Sequence, residues 1–143
     1  PRVIMAALKL EKEINIFGDN YPTPDGTCIR DYVHVDDLAT AHVLALKLFN
    51  NSNKIHDKES DKNKKNCFEF NVGLERGISV MEVINVVEKI VGDVPYKIKK
   101  KREGDPPILI ASSEKIKKEL GWKPKYENID EIIYHAYKWI KKI

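Results

Sequence analysis

Between Leu38 and Phe49 the chain reads LATAHVLALKLF, a run that is apolar nearly all round. Asp36 and Asp37 stand just before it and supply N-cap chemistry and a charge that favours a helix start. A helix without a polar face is stable only where other structure covers it, so both sides of this one should be packed.

The remaining sequence offers the elements for that cover. Pro1 to Leu10 has helical spacing, with Val3, Ile4, Ala7 and Leu8 on one face and Pro1 suited to a first turn. Glu13 to Phe17 reads as a short strand that puts Ile14 and Ile16 on one side. Residues 18–29 hold Asp19, Asn20, Pro22, Pro24, Asp25 and Gly26, which predicts a long turn. Arg30 to Val35 alternates again, with Arg30, Tyr32 and His34 on one face.

Beyond the apolar run, Cys67 to Val72 is a strand candidate, and Gly73 and Gly77 bracket a tight loop. Ser79 is placed to cap a helix to Val91 with the stripe Val80, Val83, Ile84, Val87 and Ile90, and Gly92 ends it. Tyr96 to Lys99 is a short strand, and the prolines of KREGDPP argue against regular pairing there. Ser112 or Ser113 caps a lysine-rich helix ended by Gly121. The last helix starts at Asn128 or Asp130 and repeats Ile129, Ile132, Ile133, Ala136, Tyr137 and Ile140. The sum is a small mixed α/β domain without internal repeats.

A chain of 143 residues fits one domain and buries about two-thirds of its unfolded surface, so it needs no metal or disulfide staple. Cys28 and Cys67 have no framework spacing, which points to a reducing, cytoplasmic setting. The apolar stretches are shorter than the ~20 residues of a membrane span, and no signal peptide is visible. The start at Pro1 hints at a fragment. With 25 basic and 22 acidic residues the net charge is +3, and the lysines sit beside glutamates or in polar tracts, which argues against nucleic acid as a partner. Residues 51–66, rich in Asn and Lys, read as a mobile, solvated insertion.

Two arginines in loop-flanking positions carry the chemistry. Arg30 follows the long turn, and Arg102 follows a strand within a loop that holds glycine and proline. A guanidinium is a rigid fork of donors suited to phosphate oxygens, and two of them converging could grip a diphosphate. Asp105, three residues after Arg102, can accept from a sugar hydroxyl. A single arginine near aspartates is more commonly a surface ion pair worth about 0–1 kcal/mol. His34 and His42 read as packed structural residues, His56 falls in the insertion, and His135 lies off the last helix's stripe. No histidine pair has metal-ligand spacing, so no metal site is expected. Cys28 reads as a small loop filler, and Trp122 and Trp139 as packing residues.

The segment IFGDNYPTPDGTCIRDYVHVDDLATAH closely resembles one found in UDP-glucose (UDP-galactose) 4-epimerases. FNVGLERGISVMEVI, KKREGDPP and ASSEKIKKELGWKP resemble the rest of that family's C-terminal part, in the same order. The resemblance implies an extended short-chain dehydrogenase/reductase whose N-terminal Rossmann domain holds NAD and whose smaller C-terminal domain holds UDP-glucose or UDP-galactose, in a full-length homodimer. By matching position, Arg30 and Arg102 would contact the diphosphate and Asp105 the ribose hydroxyls. Asn15 to Phe17 would line the uracil, with Asn15 and Phe17 offering backbone groups and Phe17 a ring, Tyr32 and Val80 would border the nucleotide, and Leu109 stands where some members have tyrosine. The family's glycine-rich NAD fingerprint does not occur in this chain, and no tyrosine–lysine pair stands in the family's context, since Tyr134 and Tyr137 have no partner serine upstream at family spacing; the expectation is a substrate-binding portion without catalytic residues, inactive alone. Two alternatives stay open: a part of a UDP-sugar decarboxylase or dehydratase, against which the 18–29 loop argues, and a stand-alone nucleotide-binding or partner-docking module.

Overall fold

The computed structural model describes residues 1–52 and 68–142. It contains α1 (Arg2–Ala7), β1 (Ile14–Phe17), β2 (Ile29–Asp31), α2 (Val35–Ser52), β3 (Gly77–Ser79), α3 (Val80–Ile90), β4 (Tyr96–Lys99), β5 (Ile108–Leu109), α4 (Glu114–Leu120) and α5 (Ile129–Ile140). The strands form two small sheets. In one, β1 pairs β4 in parallel from Ile14↔Tyr96 to Phe17↔Lys99. In the other, β2 is central, antiparallel to β3 and parallel to β5.

The alternation in β1 does what the sequence predicts: Ile14 and Ile16 are buried and Asn15 faces out. They meet α1, α3 and α5 in the main core, which includes Ile4, Ile84, Val87 and Ile133. Ser79 starts α3 with a full capping box: its hydroxyl accepts from Glu82 N at 3.0 Å, and the Glu82 carboxylate accepts from Ser79 N at 2.7 Å. Asn128 caps α5 by accepting from Asp130 N at 2.9 Å. A second cluster joins Ala41 of α2 to Ile116 of α4 around Trp122, which is fully buried.

Several expectations are revised. The second strand stops at Asp31 rather than Val35, because the next residues turn into α2. His34, not Asp36 or Asp37, caps that helix: its Nδ1 accepts from Asp36 N at 3.1 Å. Asp37 is 2 % exposed and accepts from Lys125 N at 2.8 Å and Tyr126 N at 3.0 Å, tying α2 to the approach to α5. Helix α2 runs on to Ser52, three residues past the expected end; the rest of the Asn/Lys run falls outside the described residues.

Among the described residues only one side of α2 is covered. Val35, Val43 and Leu46 are exposed, as is His42, whose Nδ1 meets the Leu38 carbonyl one turn back at 2.7 Å. Residues 68–72 form no strand. A strand needs a partner for its backbone groups, and here Gly73 N and O bond the Ser113 hydroxyl at 2.7 and 2.6 Å instead. That hydroxyl is therefore taken, and Ser113 stands at the N-cap of α4 without making a side-chain cap bond. Trp139 is 66 % exposed, so of the two tryptophans only Trp122 is a core residue. Among the described residues no helix is long and apolar enough to cross a membrane, and no group of three or more His, Cys, Asp or Glu is placed to hold a metal.

Candidate functional site

The 18–29 loop leaves β1 at Gly18 and folds back on itself. Tyr21 N donates to Gly26 O at 2.9 Å and Thr23 Oγ1 to Thr27 O at 2.7 Å. Gly26 has φ +78, and a Cβ there would lie 1.9 Å from the Asp19 carbonyl, so the tight return demands glycine. Asp25 accepts from Thr27 N at 2.8 Å and Thr27 Oγ1 at 2.7 Å, and also from Ser79 Oγ. The loop is thereby pinned to the start of α3. Lys101 strengthens the fastening from the other side, donating to Asn20 O at 2.8 Å with its ammonium 4.2 Å from the Tyr21 ring centre.

This anchoring aims the chain into β2 so that Arg30 enters a pocket of about 150 Å³. Asn15, Ile16, Phe17 and Gly18 line one side, Cys28, Arg30 and Val80 another, and Arg102 and Asp105 close it. Six of the seven residues singled out from the sequence thus share one hollow, and the two arginines are on it together. Tyr32 does not line it. It packs against the main core, and burial pushes its phenol pKa up. Leu109 is exposed on β5, register partner of Arg30.

The pocket's charges are engaged with one another. Arg30 Nη2 donates to Asp105 Oδ1, and Nη1 donates to the Ile29 carbonyl at 2.7 Å. The Arg102 guanidinium carbon sits 3.7 Å from the Phe17 ring centre, a cation–π contact that holds the arginine against that ring. Cys28 Sγ lies 3.8 Å from Asp105 Oδ2. Next to it the Tyr21 hydroxyl is buried with no hydrogen-bond partner among the described residues, and burial, then the Cys28 thiol, pushes its pKa up.

Sequence reasoning passed over Gly18 and read Cys28 as a loop filler. The signal for Cys28 was present: it stands two residues before Arg30, and strand alternation puts both on one face. Asp31 was also missed. Its carboxylate accepts from Leu74 N at 2.8 Å, Glu75 N at 3.1 Å and Ala111 N at 3.3 Å, which holds the end of β2 in place behind Arg30.

The comparisons place this architecture. A UDP-glucose 4-epimerase crystal structure aligns over 99% of this chain and 40% of its own, with a TM-score of 0.82 and 43% identity. The epimerase of Bifidobacterium longum, solved in complex with NAD+ and UDP, aligns over 99% of this chain and 38% of its own, with a TM-score of 0.80 and 39% identity. The UDP-glucose 4-epimerase of Lacticaseibacillus casei is 44% identical over 140 residues, covering 97% of this chain and 39% of that protein. The chain therefore spans about two-fifths of the length of the curated relatives it matches. The fold matches the C-terminal part of extended short-chain dehydrogenase/reductases. Residues 1–135 match the family model described as GDP-mannose 4,6 dehydratase, and the chain belongs to that family.

Proposed function

We propose that this chain is the UDP-sugar-binding portion of a UDP-glucose 4-epimerase. The observation that carries the reading is the convergence of Arg30, Arg102 and Asp105 on one hollow with Phe17. The arginines supply donors for a diphosphate, Asp105 accepts from ribose hydroxyls, and the β1 backbone beside Phe17 meets the base. Tyr32 supports the pocket from behind, through the core. The pocket's volume of about 150 Å³ is below the ~300–1,000 Å³ usual for a small-molecule site. It suits a diphosphate and ribose, with the hexose and the remaining walls belonging to a larger protein.

In that larger protein, NAD would take a hydride from sugar C4 and return it, interconverting UDP-galactose and UDP-glucose in the cytoplasm within a homodimer. Among the described residues there is no glycine-rich strand-to-helix turn to cradle a dinucleotide. The residues present do not fit NAD, and no step of the chemistry is assigned to them. This chain binds and orients; an N-terminal Rossmann domain would supply cofactor and catalytic residues, and the chain alone is expected not to turn over UDP-galactose with added NAD.

Calorimetric titration with UDP tests the reading. Arg30→Ala and Arg102→Ala are each expected to weaken UDP at least about tenfold, the loss of one charge-assisted contact. UDP binding that is absent in the parent, or unchanged in both variants, overturns it.

A further inference from the structure

We propose that the outer face of α5 is a docking surface for a second copy of this chain, with the two helices antiparallel and Tyr134 at the two-fold axis. The surface shares no residue with the pocket that holds Arg30 and Arg102.

The inner side of α5 is already occupied. Ile129 and Ile133 are buried, and Ile132, Ala136, Tyr137 and Ile140 pack against the main core. The other side carries Glu131, Tyr134, Lys138 and Lys141, all exposed, with Glu127 exposed just ahead of the Asn128 cap. Their spacing of four, three, four and three residues lays them in one stripe along the helix. The stripe changes sign once: Glu127 and Glu131 precede Tyr134, and Lys138 and Lys141 follow it.

Those four charges have no ion pair among the described residues, whereas the neighbouring Asp130 is engaged by Lys89 of α3 at 3.2 Å. They cannot answer one another within the helix. Glu131 and Lys138 stand seven residues apart, about 10 Å along the axis at about 1.5 Å per residue. The helix dipole favours acids in the first turn and bases in the last, but it does not require them to share a face or to flank an exposed tyrosine.

A face that is acidic at one end and basic at the other is complementary to itself when turned through a half-rotation. Turning α5 about Tyr134 sets Glu131, three residues before it, opposite Lys138 of the second copy, four residues after it. Glu127 then meets Lys141 of the second copy, each seven residues from the axis. The symmetry makes every pair twice and brings the two Tyr134 rings, each residue 45% exposed, together at the centre. A parallel arrangement would put acid on acid and base on base, so charge fixes the orientation. Each exposed pair contributes little, which makes the association weak and salt-sensitive.

Sedimentation of the full chain tests this on a Leu46→Glu background, which removes the exposed α2 leucine as another route to association. The background protein is expected to self-associate at about 0.05 M salt and to weaken several-fold at about 0.5 M. Glu131→Lys and Lys138→Glu each set like charges opposite one another, and each is expected to weaken association at least about tenfold. Mixed in equal amounts, the two variants are expected to associate as the background protein does, because each then meets its opposite. The Glu131→Lys/Lys138→Glu double variant is expected to do so alone, which separates lost docking from lost folding. A background protein that stays monomeric, single variants that associate as well as it does, or a mixture and a double variant no better than the single variants overturns the proposal. UDP takes no part in any of these measurements, so their failure leaves the nucleotide reading standing.

Discussion

Asp25 is bound to its own loop through Thr27 and to the start of α3 through Ser79, 54 positions away. Burial pushes its pKa up, but the hydrogen bonds from Ser79 and Thr27 outweigh burial and hold it below its ordinary 3.8. A carboxylate whose folded pKa lies below the unfolded one stabilises fully above the unfolded value, and that stability drains away as pH falls through the folded value. Asp25→Asn is therefore expected to cost about 1 kcal/mol at pH 7, a modest figure because the group is largely solvent-screened. Urea melts of both proteins should differ at neutral pH and converge as the pH falls below the ordinary carboxyl value and through the lowered folded one. A gap that persists unchanged in acid would mean the carboxylate charge is not its source. The sequence marks Asp25 as a turn residue by its company of Pro24 and Gly26. It gives no hint of the distant serine, since a bond across that separation has no local pattern.

At the scale of elements, the two adjacent acids that open α2 differ in kind. Asp37 is sealed and accepts two backbone amides from residues 125 and 126, whereas Asp36 is 69% exposed and lies 3.9 Å from His34 Nδ1. Asp37→Ala leaves both amides without an acceptor and is expected to cost about 2–3 kcal/mol. Asp36→Ala should cost well under half as much, and equal losses in denaturant titrations would refute the distinction. Both residues look like caps in the sequence, because nothing local says which one the fold will bury. The long periodic elements were legible: α3 and α5 carry unbroken apolar stripes and conventional caps. The three-residue β3 and two-residue β5 were not, since so short a strand shows no alternation and Pro107 immediately precedes the latter. Residues 68–72 show the converse. Their composition favours a strand, but pairing depends on a neighbour that local composition cannot supply.

At the scale of the whole molecule, the uncovered side of α2 is the conspicuous feature. Leu46 is 63% exposed and Val43 53%, on a helix whose other side packs on Trp122 and α4. Such a face marks a contact surface. The isolated chain is expected to self-associate with rising concentration in sedimentation runs, and Leu46→Glu to return it toward monomer. A clean monomer in the parent at all concentrations would show that the exposed side chains do not drive association. Most of the residues named from the family resemblance lie around one hollow, although composition and spacing could not say that both arginines line it.

The pocket also has a history written into its topology. Arg30 and Asp105 stand 75 positions apart, and both parallel strand pairs join an early stretch to a late one. During synthesis the first guanidinium leaves the ribosome several seconds before the chain that carries its carboxylate, at about 5–20 residues per second. Local helices can form in that interval, but the two walls cannot meet until the later strands emerge. Closing so wide a loop depends only logarithmically on its length, with each doubling costing about 0.6 kcal/mol. The length of the tract between the walls thus burdens their meeting very little.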